Sequence, residues 1–403
     1  RKGIILNDIL SIIVSLCSCS RNLYLMLLGR LGVGICAGIT TSIGPIYTSE
    51  MCPADIKGNA GTSFNLFNTI GIFLGYTFGL GTPSEPTGDG GFEWWQFMFL
   101  FPILFTSIQI FVFVKYLEYD TPFYCLITEN IDECKKILAK IYDGPEEEFQ
   151  RLVMQKKEYD RTASQSTSIS DLLKPEKTAF TYGVICALFF TSCGINIILL
   201  FTTYFSKLEL QILLTEHNQV FTFLVGFINM IASYVAGLIV ERYGRKALLL
   251  FGNLSLGLIL TFICFSAWIE SLGFLLKYFV LAYMFFYSTT IGTITYIYLI
   301  DIMEDKGVAI SLMITWTAIF FSCASFPLMV EGLGLGTAFL LYAVWSIYNA
   351  YFCHKNLIET KGMSKFESLN LYNPLKNDGK SGEELQNMGD RKSSSYSPPE
   401  LRR

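Results

Sequence analysis

Val240-Glu241-Arg242-Tyr243-Gly244-Arg245-Lys246 separates two long apolar runs. Four charges that close together between two segments of spanning length belong in water at a membrane face. The glycine lets the chain turn sharply, because it tolerates φ > 0 without steric cost. Three basic residues mark this face as the cytoplasmic one. The rest of the chain can be laid out from that turn.

The 403-residue chain is 52% hydrophobic, with mean hydropathy +0.43, and only 16% of it is charged. A soluble domain is about 25% charged, so the composition argues for membrane. A net charge of −4, with no basic stripe of interleaved aromatics, argues against a nucleic-acid partner. The eleven cysteines are scattered through apolar runs and read as small hydrophobes in packed helices. Two histidines, His217 and His354, are too few for a His-built metal or nucleophile site, so no metal and no cofactor are expected.

Ten runs reach the length a spanning helix needs, about 20 apolar residues. They are Ile4–Cys19, Leu23–Tyr47, Thr62–Leu80, Trp95–Val114, Ala179–Tyr204, Val220–Val240, Leu248–Trp268, Leu275–Ile300, Ala309–Met329 and Leu333–Phe352. The loop Gly81–Glu93 has acids and no Lys or Arg, whereas Lys115–Lys177, Arg242, Arg245, Lys246, Lys57 and Lys306 fall on the other side. The positive-inside rule then places both ends of this chain in the cytoplasm, most simply across the plasma membrane. Asn130–Tyr142 and Pro145–Asp160 read as soluble amphipathic helices, with Ile131, Cys134, Ile137, Leu138 and Ile141 at helical spacing. Thr162–Asp171 reads as a Ser/Thr-rich linker. The tail beyond Tyr372 has no apolar face and is expected to be disordered.

The sequence also repeats itself. Ile46-Tyr47-Thr48-Ser49-Glu50 followed by Lys57-Gly58 matches Ile297-Tyr298-Leu299-Ile300-Asp301 followed by Lys306-Gly307, and Arg1-Lys2 matches Arg245-Lys246 at nearly the same offset. This is the pattern of a parallel duplication. Two spans precede Arg245 and none precedes Arg1, so two helices of a six-plus-six plan are expected to be missing from the start. The expected division is a four-helix partial half over 1–117, an intracellular helical linker over 118–177, a six-helix half over 178–353 and a cytoplasmic tail over 354–403.

The residues that carry a family resemblance are now in view. They are Gly29-Arg30 with Gly34 and Gly38; Pro45, Tyr47 and Glu50 with Lys57-Gly58; Gly194-Ile195-Asn196; Glu241-Arg242 with Gly244-Arg245-Lys246; and Glu359-Thr360-Lys361-Gly362. In order and on the right spans, from Arg1 to about Phe366, they resemble a sugar porter of the major facilitator superfamily. The resemblance implies an all-α, multi-pass fold of two pseudo-repeated helical halves, with about ten of twelve helices present. It also implies a carrier rather than an enzyme, working by alternating access. The implied substrate is a hexose such as glucose or fructose, with a proton as the possible coupling ion. A polyol or inositol carrier, a non-transporting sugar sensor signalling through its tail, and an inactive fragment are the alternatives.

The resemblance assigns gating or structural roles to Arg1, Arg30, Glu50, Lys57, Glu241, Arg242, Arg245, Lys246 and Asp301. Ion pairs among them, each worth about 1 kcal/mol, would hold an inner mouth shut. Arg30 lies inside an apolar run, where an arginine costs about 2.5–3.5 kcal/mol or more, and needs an acceptor or a wet cavity. A sugar site uses groups that both donate and accept, with an aromatic against the ring. Asn65, Phe190, Thr191, Asn196, Asn229, Tyr296, Thr315 and Trp316 stand at the family's sugar-contact positions. The chain also departs from the family. Phe190-Thr191 replaces a glutamine pair, Asn65 replaces a glutamine, and Thr315 replaces an asparagine. Gly292-Thr293-Ile294-Thr295-Tyr296 lacks two kinking prolines. Thr289, Thr290, Thr293 and Thr295 supply hydroxyls there instead.

Overall fold

A computed structural model describes residues 1–52, 57–83, 91–142, 144–165, 177–200, 218–303, 305–361, 363, 368 and 372. The tail beyond Tyr372, most of the acidic loop and the side chains of Lys57 and Glu241 lie outside them. The described chain is helical throughout and holds no strand. The helices are α1 (Lys2–Ser18), α2 (Leu23–Met51), α3 (Lys57–Gly79), α4 (Trp94–Leu100), α5 (Pro102–Lys115), α6 (Pro122–Ile127), α7 (Ile131–Ile141), α8 (Pro145–Gln165), α9 (Lys177–Ser192), α10 (Asn218–Tyr243), α11 (Arg245–Trp268), α12 (Leu276–Thr289), α13 (Ile291–Ile302), α14 (Asp305–Leu333) and α15 (Leu335–Asn356).

The described residues of nine of the ten apolar runs lie almost wholly on these helices, and those of the fifth begin on α9. Among the described residues, seven segments are long and apolar enough to cross a membrane by length and composition. Three runs are broken. The fourth divides at Phe101, where Pro102 starts α5 with its missing N–H at a position that needs none. The fifth breaks after α9 and resumes helical geometry over 195–200. The eighth changes direction at Thr290 (φ −121, ψ −91), between α12 and α13. Large apolar side chains such as Leu27, Leu28 and Leu31 of α2 and Phe320, Phe321 and Leu328 of α14 are each more than half exposed. That is an apolar surface suited to lipid and poorly suited to water.

Contacts divide the chain into two compact units. The first comprises Arg1–Phe64 with Thr77–Thr167, and the second Asn65–Tyr76 with Ser168–Arg403. The sequence division keeps all of α3 in the first half. By contacts, its middle packs with the second unit, where Phe73 meets Phe223 and Phe227 and the Tyr76 hydroxyl donates to Leu199 O at 2.9 Å.

In the first unit α1 packs on α2, α4 and α5. The linker helices form their own small core from Cys125, Leu126, Cys134, Ile137, Leu138 and Leu152. Asn130 caps α7 by accepting from Glu133 N. Ile131 is 49% exposed rather than packed in that core, because it sits in the first turn beside its cap. α8 runs on to Gln165, so the first residues of the Ser/Thr-rich stretch are helical. The second unit has two core clusters, one around Leu256, Tyr283 and Phe339 and one around Ile294, Tyr298 and Ile302.

Candidate functional site

α9 ends at Ser192, and Gly194 carries φ +89. A side chain there would be strained, and its Cβ would lie 3.5 Å from the Tyr342 ring. Ending the helix strands carbonyls, and one is satisfied directly: the Tyr283 hydroxyl donates to Cys193 O at 2.7 Å. Just before the break, the Phe190 ring meets Tyr296 edge-on at 5.1 Å and Tyr287 at 5.9 Å. Thr191 is buried and bonds back to Leu188 O at 2.8 Å. Asn196 is half-buried on the resumed helix.

The polar centre of the second unit lies where α3, α10 and the α12–α13 break meet. The Asn65 amide donates to Ser233 Oγ at 2.9 Å and to Thr293 Oγ1 at 2.8 Å. Thr293 Oγ1 donates to Ser288 O at 3.0 Å, and the Ser288 hydroxyl donates to Asn229 Oδ1. Asn65 and Asn229 are therefore linked through two hydroxyl residues, Thr293 and Ser288, with Ser233 as a branch from Asn65. Thr289 and Thr290 return their hydroxyls to Phe285 O and Phe286 O, each at 2.6 Å. These two hydroxyls tie the break to the preceding turn of backbone. A small void beside this region is lined by Phe190, Asn253, Ile291 and Thr295 among others, but by neither Asn65 nor Asn229.

Of the eight predicted contact residues, the structure joins Asn65 to Asn229 and Phe190 to Tyr296. Thr315 is buried but bonds within its own helix, to Ser311 O at 2.8 Å. Its neighbour Trp316 is 50% exposed, since adjacent helical residues point about 100° apart. Ser233 and Ser288 complete the network. Nothing in the local sequence singles them out, because they are bonded to residues far away in the chain.

Six charged residues of the second unit, Arg242, Arg245, Lys246, Asp301, Glu359 and Lys361, meet at the start of α11. Gly244 takes φ +87, as the turn requires. The Glu359 carboxylate then lies against the bare end of the helix. It accepts from Arg245 N (2.8 Å), Lys246 N (3.0 Å), Thr360 N (3.1 Å) and Lys361 N (3.0 Å). A negative group at a helix N-terminus satisfies orphan amides and complements the dipole. Arg245 Nε lies 3.5 Å from Asp301 Oδ2, which also accepts from Thr360 Oγ1 at 2.8 Å, and Lys361 Nζ donates to Arg242 O at 2.9 Å. Sequence reasoning had Glu359 only as part of a motif, and its capping of α11 is a finding of the structure.

In the first unit, Arg1 Nε donates to Phe113 O at 3.0 Å, and Glu50 is half-buried near the end of α2. Arg30 is exposed, with its guanidinium 4.8 Å from the centre of the Phe99 ring on α4, an electrostatically favourable stack. In the linker, burial, reinforced by Glu133, Cys134 and Asp120, pushes the Cys125 thiol up to about 11.

Residues 1–371 match the family described as "Sugar (and other) transporter". The chain is 26% identical over 381 residues to the probable metabolite transport protein CsbC of Bacillus subtilis, covering 90% of this chain and 78% of that protein. It is 26% identical over 373 residues to hexose transporter 1 of Plasmodium falciparum, covering 86% and 72%. Among solved structures it superposes on the major facilitator superfamily proton:xylose symporter XylE bound to 6-bromo-6-deoxy-D-glucose. That match has a TM-score of 0.78 at 19% identity and covers 92% of this chain and 83% of the other.

Proposed function

The chain belongs to the sugar transporter family, a family of carriers and not enzymes, with the multi-pass major facilitator fold; on that premise we propose that it moves a hexose across a membrane by alternating access. The observation that carries this reading beyond the family is the bond chain Asn65–Thr293–Ser288–Asn229 beside the Phe190 and Tyr296 rings. Its amides are already paired with hydroxyls. A sugar hydroxyl can take the place of a serine or threonine hydroxyl, exchanging one bond of about 0.5–1.5 kcal/mol for another. A solute without hydroxyls would leave those amides unpaired, at about 1–3 kcal/mol each.

Thr191, Asn196, Thr315 and Trp316 belong to the proposal as further contacts made when the site opens to solute. Arg1, Glu50, Lys57, Glu241, Arg242, Arg245, Lys246 and Asp301 belong to it as the charged residues whose pairing changes with access. Coupling to a proton, a plasma-membrane location and cytoplasmic ends are part of the same reading.

The test is uptake of labelled glucose, fructose and xylose by cells without carriers of their own. Asn229→Ala and Asn196→Ala are expected to abolish uptake at unchanged surface amount. Uptake unaltered in both variants removes the proposed site. Saturable uptake of xylose alone replaces the hexose assignment with a pentose.

A further inference from the structure

Asp8 is an acid two turns into α1, with Ile4, Ile5 and Leu6 before it and Ile9, Leu10 and Ile12 after it. It lies about 10 Å along the helix from the basic end. It is 5% exposed, and its Oδ2 has no hydrogen-bond partner among the described residues. Its neighbour Asn7, 6% exposed, donates to Cys36 O at 3.4 Å and Thr40 Oγ1 at 3.0 Å on α2, while its own Oδ1 has no donor among the described residues. This buried face therefore holds acceptor atoms without donors. A proton on the Asp8 carboxyl turns one acceptor into a donor in the place that is short of one.

No positive charge among the described residues answers the acid. On α2, the Cys36 thiol is close enough to feel its charge. Arg30 of the same helix stacks over Phe99, and Glu50 lies about four turns beyond Cys36. On α5, Lys115 lies over the Phe111 ring at 5.5 Å, and α4 has no charged residue. On α1 itself, Arg1 is bonded to Phe113 O and Lys2 sits at the first position of the helix. An acid inside a membrane helix is costly when ionised and unpaired, and such residues mark proton relays and ion paths.

We propose that Asp8 is a proton-binding site of the transport cycle. Its carboxyl carries a proton in the conformation described here and releases it to water when another conformation wets this face of α1. The step is a simple exchange, carboxylic acid to carboxylate plus H⁺, and needs no other reactant. Its link to uptake rests on the transport reading above, whereas its protonation does not.

Two measurements test this. Infrared spectroscopy of the full chain in lipid, at neutral pH, is expected to show a protonated-carboxyl stretch that is missing in Asp8→Asn and present in Asp8→Glu. Uptake by the wild type is expected to fall about tenfold for each pH unit above the carboxyl's midpoint. Asp8→Asn should flatten that profile, and Asp8→Glu should retain a slope. A neutral-pH spectrum identical in wild type and Asp8→Asn overturns the proposal, as does an unchanged pH profile in Asp8→Asn. If no sugar is taken up by the wild type, the transport reading fails while the spectrum still decides the state of Asp8.

Discussion

The Glu359 cap can be measured through the glycine beside it. A Cβ built at Gly244 would lie 2.7 Å from Glu359 Oε2 and 2.8 Å from its carboxyl carbon. Gly244→Ala therefore does two things. It places alanine at φ +87, which costs about 1–2 kcal/mol. It also displaces the carboxylate from the amides of Arg245 and Lys246. Losing a cap costs about 0.5–2 kcal/mol, and losing the negative group at the helix end about 0.3–1 more. Gly244→Ala should thus cost about 2–5 kcal/mol, and Glu359→Ala about 1–3 kcal/mol. In the double variant the carboxylate is already gone, so the alanine adds only its backbone strain. The two changes should fall short of additivity by about 1–3 kcal/mol. Thermal unfolding of the purified protein in lipid nanodiscs reads this at about 2 °C per kcal/mol, the low end for a large chain. Additivity to within about 0.5 kcal/mol would refute a carboxylate seated over Gly244.

Two further outcomes are expected. The Tyr372 hydroxyl lies 2.7 Å from that of Tyr298 and accepts from Ile358 N at 2.9 Å, so Tyr372→Phe should cost about 0.5–1 kcal/mol and speed hydrogen exchange at the Ile358 amide. The effect stays small because Tyr298 Oη is also 3.3 Å from that amide, and unchanged exchange there would exclude the contact. The Cys125 thiol, shifted from 9.0 to about 11, should alkylate about 100-fold more slowly than the same thiol in denaturant at mildly alkaline pH. The folded thiol keeps its proton to higher pH than the unfolded one, so its contribution to stability is full below pH 9.0 and is lost as pH rises toward about 11. Equal alkylation rates in the folded and unfolded protein would contradict the burial.

The spans were legible because spanning length and apolarity are properties of contiguous residues. Gly244 was legible too, since a charged turn between two spans needs a residue free of a Cβ. The break at Gly194 is marked by its glycine, and Pro102 marks the one after Phe101. The break at Thr290 has no such marker, because a threonine run in an apolar segment is equally compatible with a straight helix. The Asn65–Ser233 and Ser288–Asn229 bonds were invisible for a different reason: they join residues 168 and 59 positions apart. The seat of Glu359 depends on where the chain after α15 returns, which no local pattern records.

The bend at Thr290 differs in kind from one made by proline. Proline removes an amide permanently, so a helix it bends has no straight alternative with a full hydrogen-bond ladder. Here every residue keeps its N–H, and two backbone bonds flank the bend: Thr290 N bonds to Phe286 O at 3.1 Å, and Ile294 N to Thr290 O at 3.0 Å. A single pair of backbone angles separates the kinked rod from an unkinked one. The eighth run therefore keeps, at Ile291, Gly292 and Thr293, the N–H groups that an unbroken helix would bond.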